Sequence, residues 1–97
     1  MRVTIIPDDG FVSVDGEGYD GLDLSFMDAG IHAVQWYDTH GEIERKDPVT
    51  KKMTANEEIT SFDAFQPVLD VWQAKKDELA AAAAAAQTVV EEVPQEQ

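Results

Sequence analysis

The sequence predicts a small α+β fold, an antiparallel β-sheet of about four strands in a hairpin and meander, covered by one C-terminal α-helix and followed by a disordered acidic tail. Three observations predict it. Residues 2–45 carry short β-branched runs broken at Pro, Asp and Gly clusters, as strands and tight turns require. From about Phe62 the apolar period changes to that of a helix. Beyond Leu79, seven alanines (80–86) and a segment rich in Glu, Gln and Pro offer no apolar stripe to dock. The chain therefore divides into a folded part over 1–79 and an alanine-rich helix extension with an acidic tail over 80–97.

Arg2 to Ile6 is β-branched and ends at Pro7. Pro7-Asp8-Asp9-Gly10 is a turn, because proline presets φ and glycine accepts a positive φ. Phe11-Val12-Ser13-Val14 alternates and stops at Asp15-Gly16, completing a β-hairpin. Gly16, Gly18 and Gly21 make the next stretch a loop, from which Leu22-Asp23-Leu24 emerges extended. Asp28-Ala29-Gly30 punctuates before Ile31–Tyr37, the strongest strand. There His32, Val34 and Trp36 share one face, and Ile31, Ala33, Gln35 and Tyr37 share the other. Neither face is wholly polar, so this is a central strand. Asp38-Thr39-His40-Gly41 turns the chain into Glu42-Ile43-Glu44-Arg45, an edge strand guarded by charge. Lys46 to Asn56 is a polar loop, and Glu57–Thr60 adds at most one brief strand.

Phe65, Val68, Leu69, Trp72 and Leu79 then fall on one helical stripe. Asp63 with Gln66 three residues on fits a capping box, and Pro67 is tolerated so near the start. The helix is expected from about 63 to 86, since alanine has the highest helix propensity. Gln87 to Gln97 reads as the disordered acidic tail. The expected core is Val3, Ile5, Val12, Val14, Leu24, Val34, Trp36, Phe65, Leu69 and Trp72.

Composition excludes several function classes. With 97 residues the chain makes one domain at most, and without cysteine it has no disulfide framework and no thiolate metal site. No stretch approaches the roughly 18–20 apolar residues of a membrane span, and the first residues lack the apolar run of a signal peptide. A soluble, cytoplasmic protein is the expectation. Twenty acidic residues against seven basic leave a formal charge of −13. That argues against nucleic-acid or anionic-lipid binding, which needs clustered Lys and Arg. Between Asp8 and Asp28 stand seven acidic residues and no basic one, which reads first as a solvated, solubilising surface and alternatively as a face complementary to a basic partner.

Catalysis has little to stand on. No Ser lies in a Gly-x-Ser-x-Gly elbow, His32 is in a strand and His40 in a turn, and spacing gives neither a positioned partner. Gly16-Glu17-Gly18-Tyr19-Asp20-Gly21-Leu22 is similar to one copy of the calcium-binding nonapeptide repeat, but that motif works by stacking many copies. No enzyme activity, cofactor or metal is therefore expected. The candidate protein-binding residues are the aromatics Trp36, Tyr37, Phe62, Phe65 and Trp72, which are over-represented as interface anchors, with Asp20 and Asp23 from the acidic stretch.

Three pairs of segments carry a family resemblance. They are IIPDDGFVSVDG with GLDLS (5–16 and 21–25), HAVQWY with GEIE (32–37 and 41–44), and ITSF with VLDVW (59–62 and 68–72). In that order they resemble the small proteins encoded beside tail-fibre genes in tailed phages and prophages. Some of these are described as tail-fibre assembly chaperones, others as XkdW-like proteins. The resemblance covers residues 1–75 and includes no catalytic signature. It implies a small α+β domain that binds a tail-fibre or baseplate protein and assists its assembly or becomes part of the tail. The expected location is then the host cytoplasm, or the virion tail for a structural component. A different class of function is a DNA-mimicking inhibitor of a host defence enzyme, which −13 allows. Such a mimic needs carboxylates at regular, phosphate-like spacing, whereas these cluster in loops and mix with lysines after Arg45.

Overall fold

Six strands form a single antiparallel sheet, and one helix crosses one of its faces. The computed structural model describes the chain through Gln95, with side chains through Ala86. The strands are β1 (Arg2–Ile6), β2 (Phe11–Val14), β3 (Glu17–Tyr19), β4 (Ile31–Tyr37), β5 (His40–Arg45) and β6 (Glu57–Ile59), in the order β3-β2-β1-β4-β5-β6. Helix α1 runs Gln66–Gln95 after a 3-10 turn at Asp63–Phe65. It passes position 80 without a break. The expected disordered tail from Gln87 onward rests on residues outside those fully described.

The α+β reading holds, with two strands more than the expected four. The first addition is β3. Asp15 and Gly16 adopt φ of 51° and 87°. Both positive values define the two-residue turn whose twist matches a hairpin, the Asp-Gly signature. The chain therefore returns immediately along β2, pairing Val14 with Glu17 and Val12 with Tyr19. The three glycines had argued for a loop from Gly16, but Glu17–Tyr19 is a strand and the loop begins after it; Leu22–Leu24 lies in that loop and belongs to no strand. The second addition is β6, which pairs with β5 from Gly41↔Ile59 to Ile43↔Glu57. β5 is thus interior, and the charged edge is Glu57-Glu58.

Register explains the core. Val12, Ile5, Val34 and Ile43 lie in one cross-strand row, and Val14, Val3, Trp36 and Gly41 in the next. All are buried, and Ile5, Val3, Val12 and Val34 are fully so. Burying each of these aliphatic side chains contributes roughly 1.5–3 kcal/mol against an exposed reference. A register irregularity between Ile31 and Ala33 corrects the expected face assignment. One extra residue in β4 moves Ile31 to the core face, where it joins the buried cluster. The opposite face carries Ser13, Thr4, Gln35, Glu42 and Glu58 in a row, with a hydrogen bond from Thr4 Oγ1 to Gln35 Oε1 at 2.9 Å.

The helix docks through Phe62, Phe65, Val68 and Trp72, all buried, with Leu69 and Val71 partly buried beside them. Phe62 lies 5.4 Å ring to ring from Trp36 and 5.5 Å from Phe65. Leu79, expected on the stripe, is 42% exposed, and every side chain from Lys76 to Ala86 is exposed. The sheet has ended beneath them. The expected capping box is also absent. Instead Ser61 Oγ accepts the Asp63 backbone N–H at 3.2 Å, and Gln66 Nε2 donates to Asp70 at 3.2 Å.

Candidate functional site

Four of the proposed binding residues, Trp36, Phe62, Phe65 and Trp72, are core residues at 5–8% exposure. The rings of Trp36, Phe62 and Trp72 are consumed in packing, whereas Phe65, packed on one side, also lines a surface cleft. Tyr37 is exposed at the far end of β4, with the Arg2 guanidinium 5.0 Å from its ring centre and His40 stacked at 5.6 Å. Asp20 and Asp23 are exposed. The structure does not bring these seven residues together.

The acidic stretch Asp8–Asp28 is likewise divided, and its carboxylates are mostly engaged. Asp8 reaches Lys46 Nζ, whose hydrogen bond holds its carboxyl below the ordinary range. Lys46 is 6% exposed, so this pair neutralises a buried ammonium. Asp15 accepts the Arg2 backbone N–H at 2.8 Å. Glu17 accepts the Tyr19 hydroxyl, and that bond, helped by Lys76 at 3.4 Å, lowers its pKa. Asp23 accepts the Ser25 hydroxyl at 2.6 Å and its N–H at 3.1 Å, which depress its pKa. Asp28 accepts the Gly30 N–H at 2.7 Å and lies 4.0 Å from Arg45. Carboxylates spent on such different local bonds do not trace a phosphate-like array, and the DNA-mimic reading gains no support.

The concave, apolar place on the surface lies elsewhere. Phe26 and Met27 sit in the β3–β4 loop, and Phe26 is 54% exposed. Beside Phe26 opens a cleft of about 170 Å³. One wall is Phe26, Met27, Asp28 and Ile31; the other is Ala64, Phe65, Pro67 and Val68 at the helix start. Sequence and geometry both shape it. The loop is braced by Met27 N–H to Leu24 O at 3.0 Å and Ile31 N–H to Asp28 O at 3.1 Å, so the wall is preformed. Leu24 is buried as its anchor. Gly10 holds the loop's start. Its φ is +60°, its carbonyl accepts the Leu22 N–H at 2.9 Å, and a Cβ there would stand 2.4 Å from the Leu22 carbonyl oxygen.

Sequence reasoning passed over Phe26. Its signal was present: an adjacent Phe-Met pair inside an acidic loop with no alternating partner to bury it. Two other hollows line up with sheet ends. One lies at Met1, Arg2, Asp15, Tyr37 and Asp38, and the other along His40–Glu42 and Glu58–Thr60. Neither contains an apolar side chain as exposed as Phe26; in the first, Met1 is 44% and Tyr37 37% exposed against 54% for Phe26. Among the described residues no group of three or more His, Asp or Glu is arranged to hold a metal ion. No helix among them is long and apolar enough to cross a membrane.

Comparison with known proteins finds no matching family model, no matching curated protein and no matching solved structure.

Proposed function

We propose that this chain is a non-enzymatic binding module of a tailed phage that engages a tail-fibre or baseplate protein, assisting its assembly or joining the tail. The observation that carries the binding role is Phe26. Large aromatic side chains are ordinarily buried, yet this one is 54% exposed at the mouth of a preformed apolar cleft. Interface hot spots have this form: an aromatic residue beside a pocket that can be fully desolvated. The order of the motifs at 5–16, 32–37 and 59–72 supplies the phage context. A strongly acidic surface suits an assembly partner, because like charge keeps complexes of incompletely assembled fibre apart and soluble.

The test is co-expression of the neighbouring fibre's C-terminal region with and without this protein. The proposal expects a complex that survives co-purification and a loss of soluble trimeric fibre when the protein is absent. Soluble trimer formed equally well without it would sink the assembly role. Detection in purified virions would then assign it to the tail. Failure to co-purify with either fibre or baseplate protein would contradict the reading altogether.

A further inference from the structure

The chemistry of the cleft narrows what can occupy it. A volume of about 170 Å³ is small beside the roughly 300–1,000 Å³ of sites for cofactors and drug-sized ligands. It accommodates one large apolar side chain. Apart from Asp28, the side chains that line it are apolar, so they offer no counter-charge at its base and favour an apolar side chain as the buried part of the occupant.

The rim sets the rest. Asp28 is 68% exposed at its side chain. Asp23, whose two bonds from Ser25 keep it ionised, precedes Phe26 in the same loop. Beyond the opposite wall, the exposed Asp63 adjoins Ala64 in the chain, and the exposed Asp70 stands three residues after Pro67 on α1, a spacing that brings helical side chains onto one face. The cation in ion-pair contact with this rim is Arg45, and its guanidinium is held more closely by Glu57, at 2.8 Å, than by Asp28, at 4.0 Å. The cleft is therefore an apolar hole in a negatively charged surround. Its complement is an apolar side chain with positive charge on either side, since matched potentials steer docking and reject acidic segments.

We infer that the cleft docks a short segment of a partner protein presenting one large apolar side chain flanked by lysine or arginine. This deepens the binding-module reading and rests on it, but does not depend on the fibre being that partner.

The test is a titration of the ¹⁵N-labelled full chain with three acetylated peptides. The first has leucine between pairs of lysines, the second has serine in place of the leucine, and the third has glutamates in place of the lysines. The inference expects the first peptide alone to shift the amides of residues 26–31 and 64–68, and added salt to weaken it. Phe26→Ser should weaken it by about thirtyfold or more, the loss that defines a hot spot. Phe26 is exposed, and unchanged spectra elsewhere will verify that the variant folds. Shifts confined to other surfaces, equal binding of the serine or glutamate peptide, or indifference to Phe26→Ser would overturn the inference. So would cleft amides that move with protein concentration alone, which would assign the cleft to a second copy of the chain. Fibre capture separates the two readings. If the parent chain captures fibre but the lysine-leucine peptide does not bind at the cleft, the cleft fails and the fibre reading stands. If the peptide binds at the cleft but no fibre is captured, the fibre reading fails and the cleft stands.

Discussion

The two ends of the docked part of the helix are built from the same residue types and behave oppositely. At the Trp72 end, an aromatic ring, a tyrosine, a glutamate and a lysine satisfy one another. The Trp72 indole N–H donates to the Glu17 carbonyl at 3.0 Å, Tyr19 lies 5.9 Å away ring to ring, and Lys76 sits 5.1 Å over the indole. At the Phe65 end, the exposed Phe26 lines an open cleft, and Asp23, Asp28 and Asp63 are exposed, the first two with local hydrogen bonds. The first arrangement clamps edge strand β3 to the helix. The second leaves apolar surface and charge for another molecule. Aromatic and acidic residues thus signal binding only where the fold has not already used them.

The clearest way to break the closed end is Trp72→Ala, with an expected loss of about 3–5 kcal/mol. That is a large share of the roughly 5–15 kcal/mol by which domains are stable, so the urea midpoint should collapse. Trp72→Phe keeps most of the ring and removes the N–H donor, at a cost of about 1–3 kcal/mol for the Glu17 carbonyl left without it. An unchanged midpoint in either variant would show that the clamp contributes nothing.

Gly10→Ala joins the two ends, because Gly10 positions the loop that carries Phe26. A left-handed φ and a collision with the Leu22 carbonyl should cost on the order of 1–3 kcal/mol. Faster amide exchange over residues 22–30 would accompany it; protection equal to the parent's would contradict the account.

Acid sharpens the comparison through Asp8. Lys46 lowers the Asp8 pKa in the folded state, so their bond adds stability above the unfolded carboxylate pKa. That contribution is lost as pH falls through the lower, folded value. Asp8→Asn should therefore be less stable than the parent at neutral pH, and the gap should close below about pH 4, where unfolded aspartate also protonates. A gap that stays constant with pH would show that the Asp8 charge is not what matters to Lys46.

Much of this was legible in the sequence. The order of strands β1, β2, β4 and β5, the helix start near Phe62 and nine of the ten expected core residues are where periodicity placed them, with Leu69 only partly buried. The misses have separate physical causes. β3 was hidden because Gly18 within it and Gly16 and Gly21 on either side disfavour a strand, while the Asp15-Gly16 turn that forces the hairpin acts through just two residues. Ile31 changed face because one irregular residue in β4 inverts the alternation, and nothing local announces it. Lys46 was taken for a solvated loop residue, since its burial depends on Asp8, far away in sequence. The site was the least legible. Trp36 and Trp72 stood both in the expected core and among the candidate anchors, and their burial bears out the core reading. The adjacent Phe26-Met27 pair was a signal in the sequence, but the cleft beside it is formed with the helix start and could not be read locally.

The smallest expected stability effect belongs to Phe26→Ser, within about 0.5 kcal/mol of the parent, because an exposed side chain is removed from a loop with its own bracing. The central claim, that stability resides at the Trp72 end and binding at the Phe26 end, is tested most directly by measuring urea midpoint and fibre capture on Phe26→Ser and Trp72→Phe together. The account predicts that Phe26→Ser keeps its midpoint and loses capture, while Trp72→Phe loses midpoint and keeps capture under conditions where it is folded. A Phe26→Ser variant that captures fibre as well as the parent does would contradict it.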